Sequence, residues 1–190
     1  MHYTDILDVN KKNVQNARKY SLAIIDKDMT AAEVIRALHE QRITVEAEEY
    51  FYTLQQICEE AEDEEPVIDA FPALFKAFEA HIAPEPPRKF SADHPLRLYR
   101  EENEAMYDFF DDGVHMLRYD YDAEAWQTYA KKAQTDKVHL HRKQNQLYPH
   151  LSDKGISGPL RIFWSYDDDV KNALTEFEKA AKDGNQLAVQ

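Results

Sequence analysis

Cysteine and glycine are scarce in this chain of 190 residues, which contains one cysteine, Cys58, and four glycines. A single cysteine excludes an intrachain disulfide, and it excludes any four-cysteine zinc or iron–sulfur site built from one chain. The opening sequence, MHYTDILDVNKKN, lacks the apolar run of a signal peptide, and no apolar stretch is long enough to span a bilayer. We therefore expect a protein of the reducing cytoplasm with no membrane partner.

The charge of the chain is strongly negative, because 36 Asp and Glu residues outnumber 23 Lys and Arg residues and leave a net charge of −13. Such a protein is repelled by nucleic acid and by anionic membrane surfaces. The candidate partners are metal ions, small molecules or basic proteins, but a solvated acidic surface explains the charge better than any specific partner does. No nucleophile–base pair, phosphate loop or nucleotide fingerprint is present, so the sequence favours a protein that is not an enzyme.

The composition favours helix, since Ala, Glu, Lys, Leu, Gln and Asp dominate it, and it predicts an all-α fold. Pro84, Pro86 and Pro87 interrupt the segment APEPPRKFSAD, through which no helix can continue. We therefore predict an N-terminal helical region over residues 1–82, a Pro-rich linker over 83–93 and a second helical domain over 94–190.

Both parts of the chain carry helix signals. In the N-terminal region, Thr30 and Glu33 form a capping box before a helix, and further helices are predicted over 45–62 and 66–82. In the second domain, the pattern predicts three longer helices. They run from about 94 to 117 after a cap at Asp93, from about 122 to 151, and from a cap at Ser165 to about 182.

Polar residues interrupt the predicted apolar faces of these longer helices. Glu102 falls at the centre of the first face with His94 at its edge, and Gln144 falls at the centre of the second face. Asp167 borders the third face, whereas His139 points away from its helix's apolar arc. A carboxylate in an apolar face is costly unless it is paired, hydrogen-bonded or bound to a metal. A metal site between helices and a metal-free hydrogen-bond network between Glu102 and Gln144 or a histidine therefore remain alternatives.

Two segments resemble the hemerythrin-like (HHE cation-binding) superfamily, and in particular its branch with a small helical N-terminal domain. They are DHPLRLYREENEAM at 93–106 and DKVHLHRKQNQLYPHLSDKGISGPLRIFWSYDDDVKNAL at 136–174. The resemblance implies a hemerythrin-like helix bundle with an N-terminal helical subdomain. It also implies a non-haem iron site with one or two irons, in a protein that binds or senses iron, dioxygen or nitric oxide, or assists iron-centre repair under stress.

Four residues match the family's ligand motifs. The resemblance implies that they bind the metal, and they are His94, Glu102, His139 and Asp167. Arg97 and Tyr99 would then contact these ligands without binding the metal themselves, and would hold the ligands in the correct orientation.

The match to the family is incomplete in four places. Arg97 stands where the branch often has a second histidine, Gln144 and Lys143 stand where glutamates are expected, and the family's fourth helix has no counterpart. An N-terminal helix or a second subunit could complete the bundle, or the metal has been lost. The alternative function is therefore a degenerate, metal-free helical module that acts in interaction or regulation, and a third is a bundle that binds haem through one or two histidines.

Overall fold

The structure, a computed structural model, describes residues 10–84 and 89–185 of the chain. Regular structure in these ranges is helical, apart from an isolated parallel bridge between Val45 and Ile82. This finding confirms the predicted all-α class. None of the helices in the described ranges is long and apolar enough to cross a bilayer.

The chain divides into two compact units. Unit 1 consists of residues 1–87 and 150–165, and unit 2 consists of residues 88–149 and 166–190. The division differs from the predicted domains because residues 150–165, which we expected in the second domain, belong to unit 1. Among the contacts that join this segment to the rest of unit 1 are hydrogen bonds from the buried side chain of Gln55. Its Oε1 accepts from the backbone N–H groups of Ser157 and Gly158 at 3.1 and 3.0 Å, and its Nε2 donates to the carbonyl of Gly155 at 3.3 Å.

The described N-terminal part of unit 1 contains four helices, which are α1 (Lys11–Ile25), α2 (Ala31–Glu40), α3 (Ala47–Glu60) and α4 (Glu65–Phe78). A 3₁₀ turn, Glu79–His81, follows α4. The capping box of Thr30 and Glu33 is present at the start of α2, as predicted. Helix α1, which the sequence did not single out, begins after an Asn10 cap. The core includes Tyr20, Leu38, Leu54, Leu74 and Phe78.

Unit 2 is built on α5 (Pro95–Met116), α6 (Ala123–Arg142) and the C-terminal part of α8 (Gly158–Lys182). The cap of α5 is His94 rather than Asp93, since Nδ1 of His94 accepts from the N–H of Leu96 at 3.2 Å. Helix α8 begins well before Ser165, which lies inside it. A serine cap is unnecessary because Gln55 already binds an N–H group of the first turn.

The long helix predicted over 122–151 is interrupted. A π-helical turn, Lys143–Leu147, follows α6, and the short helix α7 (Tyr148–Ser152) comes next. The physical reason is Pro149, which has no N–H to donate and whose ring crowds the preceding turn of an α-helix. In the wider turn, Tyr148 donates its N–H to the carbonyl of Lys143, and Nδ2 of Asn145 donates to the carbonyl of His141 at 2.8 Å.

Helix α5 has an unusual surface, since none of its residues, all of which the structure describes, is buried. The buried cluster of unit 2 is formed instead by Trp126 and Ala130 of α6 with Ala180 and Ala181 of α8. Apolar side chains of α5 are left partly exposed, and Phe110 and Val114 expose 44% and 53% of their surface.

Candidate functional site

Glu102 of α5 and His139 of α6 lie in direct contact inside unit 2. The imidazole Nδ1 of His139 is 2.8 Å from Oε2 of Glu102, and Oε1 of Glu102 accepts a hydrogen bond from the guanidinium of Arg142. His139 is 3% exposed, whereas Glu102 and Arg142 are about a quarter exposed. Two of the four predicted ligands are thus brought together, and a cationic side chain of the same chain shares the carboxylate with His139.

The burial of His139 differs from its predicted position outside the apolar arc of α6. The helix is covered on more than one side, because α5 lies over His139 while α8 contacts Trp126. The ring of Tyr99 on α5 packs edge-on against the His139 ring at 6.1 Å. A helix contacted on two sides buries a wider arc than a single apolar stripe indicates. The neighbour that covers His139 is separated from it by many residues, so the periodicity of α6 alone could not show it.

Asp167 of α8 has partners other than Glu102 and His139. Nζ of Lys143 donates to its Oδ1 at 2.7 Å, and the hydroxyl of Tyr148 donates to its Oδ2 at 2.6 Å. Burial raises the pKa of the Tyr148 hydroxyl, and the hydrogen bond to Asp167 raises it further. Tyr148 therefore stays protonated and remains a hydrogen-bond donor to the carboxylate.

A third polar cluster surrounds the buried amide of Gln144. Its Nε2 donates to Oδ1 of Asp168 at 2.9 Å, and its Oε1 accepts from Nζ of Lys171 at 2.6 Å. Lys171 also contacts the Asp168 carboxylate at 2.6 Å. The bonds from Lys171 and Gln144 hold the pKa of Asp168 below its ordinary value. An amide satisfies one donor and one acceptor at once, which the glutamate expected at this position could not do when ionised.

His94 lies at the exposed start of α5. Its ring stacks on Phe90 at 4.6 Å, and its Nδ1 is used as the helix cap. Arg97 contacts Glu101 at 2.6 Å on the surface, whereas the hydroxyl of Tyr99 donates to the carbonyl of Arg142 at 3.4 Å. Tyr99 therefore lies beside the Glu102–His139 pair.

Two atoms near the Glu102–His139 pair are buried without a hydrogen-bond partner. They are Nε2 of His139 and Oδ2 of Asp136, which precedes His139 by one helical turn. Burial raises the pKa of Asp136, while nearby His139 lowers it. The sequence alone did not indicate Asp136 or Arg142. Their positions three residues before and three residues after His139, on the same side of α6, are a signal that could have found them.

Within residues 10–84 and 89–185, no three His, Cys, Asp or Glu side chains form a group that could hold a metal ion. As arranged, the predicted iron ligands are divided between separate clusters, two of which include a lysine or arginine. No family model, curated protein or solved structure matches this chain. The resemblance to the hemerythrin-like superfamily therefore stays a prediction.

Proposed function

We propose that this protein is a degenerate hemerythrin-like module that acts through interaction with other molecules, with its own lysines and arginine in place of iron. The observation that supports the proposal is the pairing of three carboxylates of unit 2, of which Asp167 is buried, Glu102 is about a quarter exposed and Asp168 is about half exposed. Glu102 contacts Arg142, Asp167 contacts Lys143, and Asp168 contacts Lys171. Each of these three carboxylates is thus already paired with a positive side chain of the same chain.

A carboxylate removed from water requires a compensating positive charge, and a metal ion or a basic side chain can supply it. Iron would have to displace Arg142 or Lys143, and the displaced cation would then lie beside the metal and repel it. The proposed hemerythrin-like fold itself is supported by Glu102 and His139, two matches to the family's motif that meet between helices at 2.8 Å.

A second candidate function, an iron centre, is favoured by one specific observation. Nε2 of His139 is buried and has no hydrogen-bond partner. In the tautomer that donates from Nδ1 to Glu102, this nitrogen would carry an unshared electron pair. Metal-bound histidines commonly donate their other N–H group to a carboxylate in this way. In that case Glu102 would orient the histidine rather than bind the metal.

The decisive experiment compares metal content in purified wild-type protein and in the variant Arg142→Met. The protein is produced in iron-supplemented cells, and iron per chain and the visible spectrum are measured. We expect wild-type protein without stoichiometric iron or a Soret band. Arg142→Met is expected to bind Fe²⁺ more tightly than wild type, because the Glu102 carboxylate loses its cation.

The matched control is Arg97→Met, which removes an exposed arginine of α5 that pairs with Glu101. It is expected to leave Fe²⁺ affinity at the wild-type level. Near-stoichiometric iron in the wild type, lost on His139→Ala, would overturn the proposal in favour of the iron centre. A sharp Soret band would overturn it in favour of haem.

A further inference from the structure

An apolar groove lies open on unit 2 between α5 and α8. It encloses about 340 Å³, and residues of α5, α6 and α8 line it, among them Phe110, Val114, Trp126, Tyr129 and Phe177. Single exposed apolar residues are ordinary on protein surfaces, but a contiguous apolar concavity marks an interaction site. The groove is separate from the Glu102–His139 pair, neither residue of which lines it.

The shape of the groove suits a helix. Its α5 wall runs from Phe109 to Leu117 and its α8 wall from Val170 to Phe177, so the two walls are about 12 Å and about 10 Å long at the rise of an α-helix. The hydroxyl of Tyr129 is already used, since it donates to the carbonyl of Phe109. A polar small molecule would therefore find few partners, whereas two turns of an amphipathic helix would place three or four apolar side chains in the groove.

The charge around the groove selects the occupant. On α5, Asp111 follows Phe110 of the wall, and its carboxylate lies 3.5 Å from Nε2 of His115. On α8, the exposed Glu176 lies next to Ala173 and Phe177 in the wall, and Lys179 and Asp183 line the same depression as Glu176. A second copy of this chain would bring the same acidic edges together against a net charge of −13 on each copy. A helix with basic flanks would meet the edges with opposite charge.

We propose that this groove binds an amphipathic helix of a partner protein, with apolar residues in the groove and lysines or arginines against Asp111 and Glu176. The inference rests on the proposed function, since it names the class of partner that the interaction module recognises. Apolar contacts would supply most of the affinity, and the acidic edges would select a basic helix over an acidic one.

The test uses full-length protein and a synthetic probe. The probe is an amidated peptide of about 18 residues that forms an amphipathic helix, with Leu along one face and Lys along the other. Titration calorimetry measures binding to the wild type. Fluorescence of Trp126 is followed in the variant Trp164→Phe, which removes the other tryptophan, an exposed residue of unit 1. We expect binding at one peptide per chain and a change in Trp126 emission. The affinity is expected to be about tenfold or more above that of a Leu/Glu peptide of the same pattern or a scrambled Leu/Lys peptide.

Two groups of variants localise the binding. Val114→Asp places a charge in the groove at a half-exposed position, where folding is not at risk, and it is expected to weaken binding about tenfold or more. The pair Asp111→Asn with Glu176→Gln is expected to weaken binding severalfold. The matched pair Glu101→Gln with Glu104→Gln removes the same charge elsewhere on α5 and is expected to have little effect at physiological salt, where screening acts over about 8 Å.

The outcomes separate this inference from the proposed function. Equal binding of the scrambled peptide, no effect of Val114→Asp, or a dimer that excludes the peptide would overturn the groove proposal and leave the metal-free assignment intact. Stoichiometric iron in protein that still binds the Leu/Lys peptide would overturn the proposed function and leave the groove.

Discussion

Two polar clusters of unit 2 each pair a lysine with an aspartate. Lys171, Gln144 and Asp168 form one such cluster, in which the amide bridges a cation and an anion. The bonds to Asp168 favour its ionised form, so its folded-state pKa lies below the unfolded value of about 3.9. The resulting stabilisation is present above the unfolded pKa and is lost as pH falls through the folded pKa.

We predict that Lys171→Met raises the pKa of Asp168 toward its ordinary value, because the largest favourable contact of the carboxylate is removed. The measurement is a carboxyl titration by NMR. Lys182→Met serves as the control, since Lys182 contacts Glu178 instead, at 2.6 Å. An Asp168 pKa that stays the same in Lys171→Met would show that the contact is absent in solution.

At the scale of elements, the start of α8 depends on α3. Gln55 is 1% exposed, and its Oε1 accepts from two backbone N–H groups at the beginning of α8. The close approach of the two helices requires a glycine, because a Cβ at Gly158 would lie 2.5 Å from Cβ of Cys58. The side chain of a distant helix therefore performs the capping that a serine or aspartate performs in most helices.

Gln55→Leu is predicted to lower the free energy of unfolding by about 2–4 kcal/mol, because it leaves two N–H groups without an acceptor. Urea denaturation measures this loss. The neighbouring change Gln56→Leu removes only a contact with the Tyr52 hydroxyl at 3.2 Å and is expected to cost about 1 kcal/mol or less. Equal effects of the two substitutions would contradict the capping role of Gln55.

At the scale of the whole molecule, unit 1 is discontinuous in sequence. Residues 150–165 contribute Phe163, whose ring lies 5.7 Å from that of Phe71, and Arg161, which pairs with Glu64. Burial under this segment also raises the pKa of the Cys58 thiol to about 11, which disfavours a reactive thiolate. The proline-rich linker is therefore not a boundary between independently complete halves.

A fragment that ends at residue 84 is predicted to be less stable to urea than unit 1 in the full chain, by at least about 2 kcal/mol, since Gln55 and the apolar residues around it lose their cover. A synthetic peptide of residues 150–165 is expected to restore helical circular dichroism and stability. The same peptide with Gly158→Ala is the control and should restore less, because its Cβ meets Cys58. If the fragment is as stable to urea as the full chain, residues 150–165 do not stabilise unit 1 and the prediction is wrong.

Local sequence signals determined the helical class, the capping box at Thr30 and the approximate bounds of α5, because these depend on neighbours within one turn. The helix wheel also placed Glu102 on an inward face correctly, since it is bonded to the buried His139.

Only the tertiary structure decided which charges meet. The burial of His139, the pairing of Asp167 with Lys143, and the capping of α8 by Gln55 all join residues far apart in the chain. Periodicity reports the faces of one helix at a time, and it does not specify which other helix covers a given face. For that reason the sequence alone could indicate carboxylates as candidate ligands of a cation. The fold determined that lysine and arginine side chains lie beside these carboxylates.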